Sequence, residues 1–250
     1  MEYLDALKIK STQINNMIEE KLIKDKELII QNPHSMHNIA TGLAIDGKVT
    51  IKGSTGFYTG GFLEGASVIV EGNAGWYAGD NMMDGELIIT KNAGCNAGTY
   101  LYGGTIVIRG SAGSRVGYGM KGGTIIVCGS AGRWAGQMTL GGKLILLGKV
   151  GKQLGESMYK GVIYIQDEEA KNNLGGNVFI DKITPTEVDE LNTLFKKYDI
   201  DAKGENFVAI RPMTTGRHTY VLFNPDLTPE KARKELGKNP KKLEKGVAYE

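Results

Sequence analysis

The sequence is poor in the residues on which most enzyme chemistry depends. Its 250 residues include only two cysteines, three histidines and six prolines. Cys95 and Cys128 do not form a C-x-x-C pair. That excludes a disulfide framework and a cluster-type cysteine motif, and a reducing cytoplasm is the expected compartment. No apolar run is long enough to cross a bilayer, and no signal-peptide pattern is present, so no membrane role is expected. Neither sign of charge dominates: 30 Lys and Arg face 28 Asp and Glu, a formal net charge of +2. This balance argues against a nucleic acid or a membrane surface as partner. The only local bias is lysine in Lys231–Lys245, which reads as a solvated tail.

Glycine, by contrast, is abundant and ordered. Between Gly53 and Val162 one phrase is written six times, as GSTGFYTG, GNAGWYAG, KNAGCNAG, GSAGSRVG, GSAGRWAG and GKVGKQLG, each start 19 residues after the last. A constant period of this length fixes the architecture before any other signal is read. One slot holds Gly56, Gly75, Gly94, Gly113, Gly132 and Gly151; another holds Gly60, Gly79, Gly98, Gly117, Gly136 and Gly155. A third holds Gly85, Gly104, Gly123, Gly142 and Gly161, with Ala66 as its exception. Beyond it the chain alternates in pairs such as Val68/Val70, Ile106/Ile108 and Ile125/Val127, which is the pattern of one short strand per repeat.

One strand and several glycine corners in 19 residues make about one turn of a right-handed, single-stranded parallel β-helix, an all-β core with coils about 4.8 Å apart. Inward aliphatic residues then form ladders along the axis, and no coil buries its face alone. The glycines are expected to be structural corners at φ > 0, so valine at Gly94 or Gly113 should be destabilising. Three regions follow: an N-terminal capping arm (1–46), the β-helix (47–167) and a small α/β extension (168–250). In the arm, Thr12–Lys24 reads as a helix and Leu28–Ile30 as a strand. In the extension, Val178–Ile180 reads as hydrophobic, Pro185–Tyr198 as a helix capped by Thr184 or Thr186, and Phe207–Arg211 and His218–Phe223 as strands joined through Pro212–Gly216. A last short helix is expected to open at Thr228 and close at Gly237.

Some stretches imitate chemistry. Gly117-Tyr118-Gly119-Met120-Lys121-Gly122 matches G-x-G-x-x-G, but it lies within the repeat rhythm and precedes a strand, whereas dinucleotide binding needs a helix there. No G-x-S-x-G occurs, and Ser111 and Ser130 fill a corner slot that is asparagine elsewhere. With His34, His37 and His218 as its imidazoles, a stand-alone hydrolase or esterase has few candidates. His34 and His37 have a metal-compatible spacing but too few companions to make a site. Trp76, Tyr77 and Trp134 occupy variable slots and are expected to stack along one side. Arg115 and Arg133 are expected to share a slot in a charged ladder.

The glycine phrase, followed by Lys121-Gly122-Gly123-Thr124-Ile125-Ile126-Val127, resembles the GXGXG domain over roughly His37–Ile165. That domain is the C-terminal β-helix of the glutamate synthase large subunit, and it also resembles the corresponding β-helical subunit of formylmethanofuran dehydrogenase. His37–Ala44 and the Pro185–Tyr198 helix favour the free-standing glutamate-synthase type. The resemblance implies a non-catalytic scaffold with no cofactor, metal or catalytic residue of its own. Its partners would be a glutamine amidotransferase-like subunit and an FMN/iron–sulfur synthase-like subunit, with self-association as a further expectation. The alternative it implies is the β-helical scaffold of formylmethanofuran dehydrogenase.

Overall fold

The computed structural model describes residues 2–166 and 168–213. The strand and helix expected beyond Pro212–Gly216 lie outside the described residues. Strands β3 (Lys48–Lys52), β4 (Ser67–Val70), β5 (Glu86–Ile89), β6 (Thr105–Ile108), β7 (Thr124–Val127), β8 (Leu140–Leu146) and β9 (Lys160–Ile165) pair consecutively and in parallel. Register advances by one repeat per coil, so Val49, Val68, Leu87, Ile106, Ile125, Leu144 and Ile163 form one continuous ladder. All seven are fully buried. The chain is therefore a parallel β-solenoid, and the inward assignment made from period-2 alternation holds.

The other wall of the core is built from smaller residues. Ala74, Ala93, Ala112, Ala131 and Val150 make single-residue parallel bridges, and Ala78, Ala97, Val116 and Ala135 are buried behind them. Branched side chains on the strand wall thus interdigitate with alanine and methionine on the loop wall. Each coil stacks on the next with no room for a larger residue.

The sheet continues into the segment expected to be a capping arm. There β1 (Glu2–Asp5) and β2 (Glu27–Gln31) extend the parallel order, and α1 (Ile14–Lys24) joins them. Ile14, Ile18 and Leu22 recur at helical spacing and are fully buried. At the other end β10 (Val178–Asp181) and β11 (Val208–Pro212) join the same sheet, with β11 antiparallel between β9 and β10. Between them α2 (Pro185–Lys197) returns across the outer sheet face. Its Leu191 and Phe195 cover the outward side chains Val107, Ile126, Ile145 and Tyr164. The sheet is accordingly apolar on both faces at β6–β9, as a parallel sheet covered on both sides must be.

Helix α2 starts where the sequence places it. Thr184 caps the helix, Pro185 takes the first turn, and Glu187 closes a capping box by accepting the Thr184 N–H at 2.8 Å. The same carboxylate accepts from the Tyr164 hydroxyl at 2.8 Å and from the Arg211 guanidinium at 2.7 Å, and Arg211 also donates to Asp181 at 2.9 Å. Four elements are tied at one group. Burial alone would raise the Glu187 pKa, but the Thr184 N–H and the Arg211 and Tyr164 donors bring it down to about 2.

The glycine corners divide in a way the sequence conceals. Gly98 and its equivalents lie at φ near +67°, as expected. Gly113 and its equivalents in the first slot do not, which corrects the expectation that they need a left-handed backbone. They are glycine because coils approach too closely: a Cβ on Gly113 would stand 2.7 Å from the Cys95 nitrogen of the preceding coil.

The third-slot glycines Gly85, Gly104, Gly123, Gly142 and Gly161 are left-handed as expected, and the same conformation extends to non-glycine residues. Tyr58, Tyr77, Asn96, Arg115, Trp134 and Gln153 all have φ between 59° and 63°. Four residues further on, Phe62, Asn81, Tyr100, Met138 and Ser157 lie between 50° and 57°, and Gly119 at 60°. Each coil carries three alternate left-handed residues, glycine in the middle. The arrangement turns successive N–H groups to opposite neighbours: Arg115 donates to Arg133 O at 2.9 Å and Gly117 to Ala97 O at 2.8 Å. Each such non-glycine residue costs about 1–3 kcal/mol, offset by the intercoil hydrogen bonds.

These contacts can be tested by substitution. Gly98→Ala should lower the free energy of unfolding by about 2–4 kcal/mol, because it combines a left-handed φ with a clash against Ile125. Gly113→Ala should destabilise at an ordinary φ, and a silent Gly113→Ala in denaturant titration would overturn the close-approach explanation. For Glu187, a depressed folded pKa means stability that is complete above the ordinary carboxylate range and is lost as pH falls toward about 2. The thermal midpoint should therefore fall between roughly pH 5 and 2, and fall less in Glu187→Gln.

Candidate functional site

The left-handed triplets display their outer side chains in columns along one face. His37, Phe57 and Trp76 stack in sequence, with ring centroids 4.7 and 5.5 Å apart. Beside them Tyr58 and Tyr77 stack at 5.0 Å and 9°. The expected stacking of the aromatic slots is thus present. Trp134 stacks differently, with the Arg115 and Arg133 guanidinium groups each 4.5 Å from its ring. The shared arginine slot is corrected here: the two residues are 18 apart, one short of the period, so they stand in neighbouring columns and meet on one indole.

Midway along the face the columns break. Asn96 is short where Tyr77 precedes it and Arg115 follows, and Gly119 has no side chain between Tyr100 and Met138. Beside Asn96 lies an open cleft of about 480 Å³, lined also by Tyr77, Thr99, Tyr100, Arg115, Tyr118 and Gln137. Arg115 Nε donates to Gln137 Oε1 at 3.3 Å, and the Tyr100 and Tyr118 rings meet edge-on at 5.5 Å. Lys121 lies at the rim, 3.9 Å from the Tyr102 ring and hydrogen-bonded to its hydroxyl.

Electrostatically the cleft is a donor surface. Burial, then the neighbouring Tyr118, pushes the Tyr100 hydroxyl above its ordinary value, so it remains a hydrogen-bond donor at neutral pH. One coil away in the Thr99 column sits Asp80, nearly buried; burial raises its carboxyl although Asn81 donates to it at 3.0 Å. Arg115, Lys121 and Arg133 have no ion-pair partner among the described residues.

Motifs that imitated chemistry are accounted for by the coil. Ser54, Asn73, Asn92 and Ser111 form a side-chain ladder, each accepting the backbone N–H of the residue one repeat on, at 2.8–3.1 Å. Ser111 is thus a corner acceptor. Gly117 and Gly119 belong to a left-handed triplet that leads into β7. His37 Nδ1 accepts the Phe57 N–H at 2.8 Å. No cluster of three His, Cys, Asp or Glu able to hold a metal exists among the described residues. Cys95 and Cys128 are both free. His218 lies outside the described residues. Sequence reasoning missed the cleft; its one local signal was the short Asn96 between Tyr77 and Arg115 in the same slot.

The stacked Trp134 gives a test. In a Trp76→Phe background it is the remaining tryptophan, and Arg115→Ala should shift its emission to the red with the far-ultraviolet dichroism unchanged. The loss in stability should be about 0.5–1 kcal/mol.

Fold and face together define a class of parallel β-solenoid in which the recurrent glycines are architectural and the variable slots face outward. Residues 15–205 match the family described by the GXGXG motif, and the chain belongs to that family. No curated protein matches it in sequence. Among solved structures, it is similar to a chain of the formyltransferase/hydrolase complex from Methylorubrum extorquens, determined in complex with methylofuran. That chain superposes with a TM-score of 0.64 at 22% identity, over 80% of this chain and 85% of its own length. At this identity the likeness is one of fold. No helix among the described residues is long and apolar enough to cross a membrane.

Proposed function

We propose that this chain is a scaffold subunit of a multi-subunit enzyme complex that handles formyl groups, holding catalytic partner subunits in register. The observation that carries the reading is the near full-length likeness to one chain of a formyltransferase/hydrolase complex. It favours the formylmethanofuran-type alternative over the glutamate synthase scaffold expected from the sequence resemblance. The site chemistry is compatible with that role. The cleft offers guanidinium, ammonium and phenol donors but pairs none of them with a nucleophile and an orienting base, as acyl-transfer chemistry requires. A solenoid suits the task, because its coil spacing gives partners a rigid ruler of repeated docking positions.

The test is affinity purification of the tagged full-length chain from its native host at low salt, with mass spectrometry of what accompanies it. Stoichiometric recovery of formyl-transferring or formyl-hydrolysing subunits, or of molybdenum or tungsten dehydrogenase subunits, is the expected result. Recovery of an amidotransferase and an FMN/iron–sulfur synthase chain would return the protein to the glutamate synthase reading. A chain that stays alone at every salt concentration would overturn both.

A further inference from the structure

Resting on the reading of this chain as one part of a larger assembly, we propose that the cleft between Tyr77, Tyr100, Arg115 and Tyr118 docks an extended acidic segment of a partner subunit. Charge is the first argument. On the sheet side of the solenoid Lys52, Lys143, Lys197 and Arg211 each meet a carboxylate of this chain, at 2.5–2.9 Å. On the cleft side Arg115, Lys121 and Arg133 meet none among the described residues, and the carboxylate that acts on Tyr100, Asp80, is nearly buried and disfavours its own charge. A face that neutralises its cations nowhere within itself is complementary to a partner that brings the carboxylates.

Pre-organisation is the second argument. Arg115 is held over Trp134 and oriented through Nε by Gln137, which leaves the terminal guanidinium nitrogens free of protein acceptors among the described residues. A fixed, stacked guanidinium is the donor that takes a carboxylate in two parallel hydrogen bonds with the least loss of side-chain entropy. The surroundings match it: Tyr100, which lines the cleft, is 38% exposed, and Tyr102, beside Lys121, is 45% exposed. Exposed aromatics around an arginine are the composition that separates interface cores from ordinary surface.

Shape is the third. The cleft runs along the solenoid axis from the coil of Tyr77 to that of Gln137, a rise of about 14 Å at the coil spacing. That length accommodates about four residues of extended chain. Alternate side chains of such a segment would face Arg115 and the aromatic walls, so the occupant is an acidic strand-like stretch with apolar residues interleaved.

The experiment uses the full-length chain purified with its partners from the native host, with Tyr100 replaced by p-benzoylphenylalanine. On irradiation, the cross-linked peptide is expected to come from another subunit and to hold more Asp and Glu than Lys and Arg. In parallel, Arg115→Glu should reduce partner recovery about tenfold or more, and Arg115→Gln by less. Lys48→Glu on the sheet side should leave recovery unchanged, and all three variants should melt cooperatively. A cross-link to a second copy of this chain, or to a peptide without acidic excess, would overturn the proposal. So would full recovery with Arg115→Glu, which leaves the scaffold reading standing because partners still arrive. A wild-type chain that recovers no partner sinks both.

Discussion

The hydrogen bond from one coil to the next is the constraint on which this structure depends. Every coil donates and accepts in both axial directions, so the coils must repeat with the same number of residues wherever those bonds are made. A slip of one residue would turn the Val68, Leu87, Ile106 ladder out of the core and bring Ile69, Ile88 and Val107 into it. The period is held at 19 from β3 to β9 for this reason. Between β2 and β3 it is looser: Glu27 pairs with Lys48, 21 residues on, with one surplus residue absorbed before the left-handed Asn38 and the other between Gly42 and Lys48. Insertions are tolerated where a coil end is free, not where neighbours on both sides read the register.

The same constraint explains the backbone. A chain that must bond to both neighbours through a bend cannot remain in an extended conformation, and alternating left-handed residues supply the bend while keeping their own N–H groups, as at Arg115, Gly117 and Gly119, aimed along the axis. From Gly60 to Gly155 the middle position is glycine throughout, because its missing Cβ faces the inner ladder, where Ile125 lies against Gly98. The flanking positions face outward and accept tyrosine, arginine or tryptophan despite the strain. That division separates stability from recognition within five residues of each coil.

This division also marks how far the sequence could be read. The strands, their inward residues, α1 and the Thr184 cap were legible because period-2 alternation, helical spacing and capping residues are local signals. The period was legible because the glycines repeat without slip. The cause of each glycine was not. Gly113 and Gly98 look alike in the sequence, yet one answers to coil contact and the other to φ, and only three-dimensional neighbours distinguish them. The left-handed Tyr77 and Arg115 were hidden because no propensity favours a bulky residue there. Tertiary hydrogen bonding overrides it. The extent of the sheet was also underestimated at both ends, since β1 and β10 have ordinary composition and are strands because β2 and β11 offer them an unpaired edge.

In a repeat protein the slots that stay constant report architecture, and a specific function has to be written in departures from them. Aromatic bulk is the habit of the outward slots here, at Tyr58, Tyr77, Phe62 and Tyr100. Asn96 and Gly119 interrupt it in adjacent coils and adjacent columns, as Asn81 and Ser157 do elsewhere, and of the two Asn96 lines the cleft. Both residues also ease folding: each sits at a left-handed φ, 61° at Asn96 and 60° at Gly119, which glycine and asparagine tolerate better than other residues, and a Cβ at Gly119 would meet the Tyr100 ring at 2.5 Å. Arg115 borders both gaps, with its guanidinium already stacked on Trp134. Relief of backbone strain therefore accounts for the interruption by itself, and what distinguishes this point of the face is Arg115, a fixed guanidinium with no carboxylate partner among the described residues.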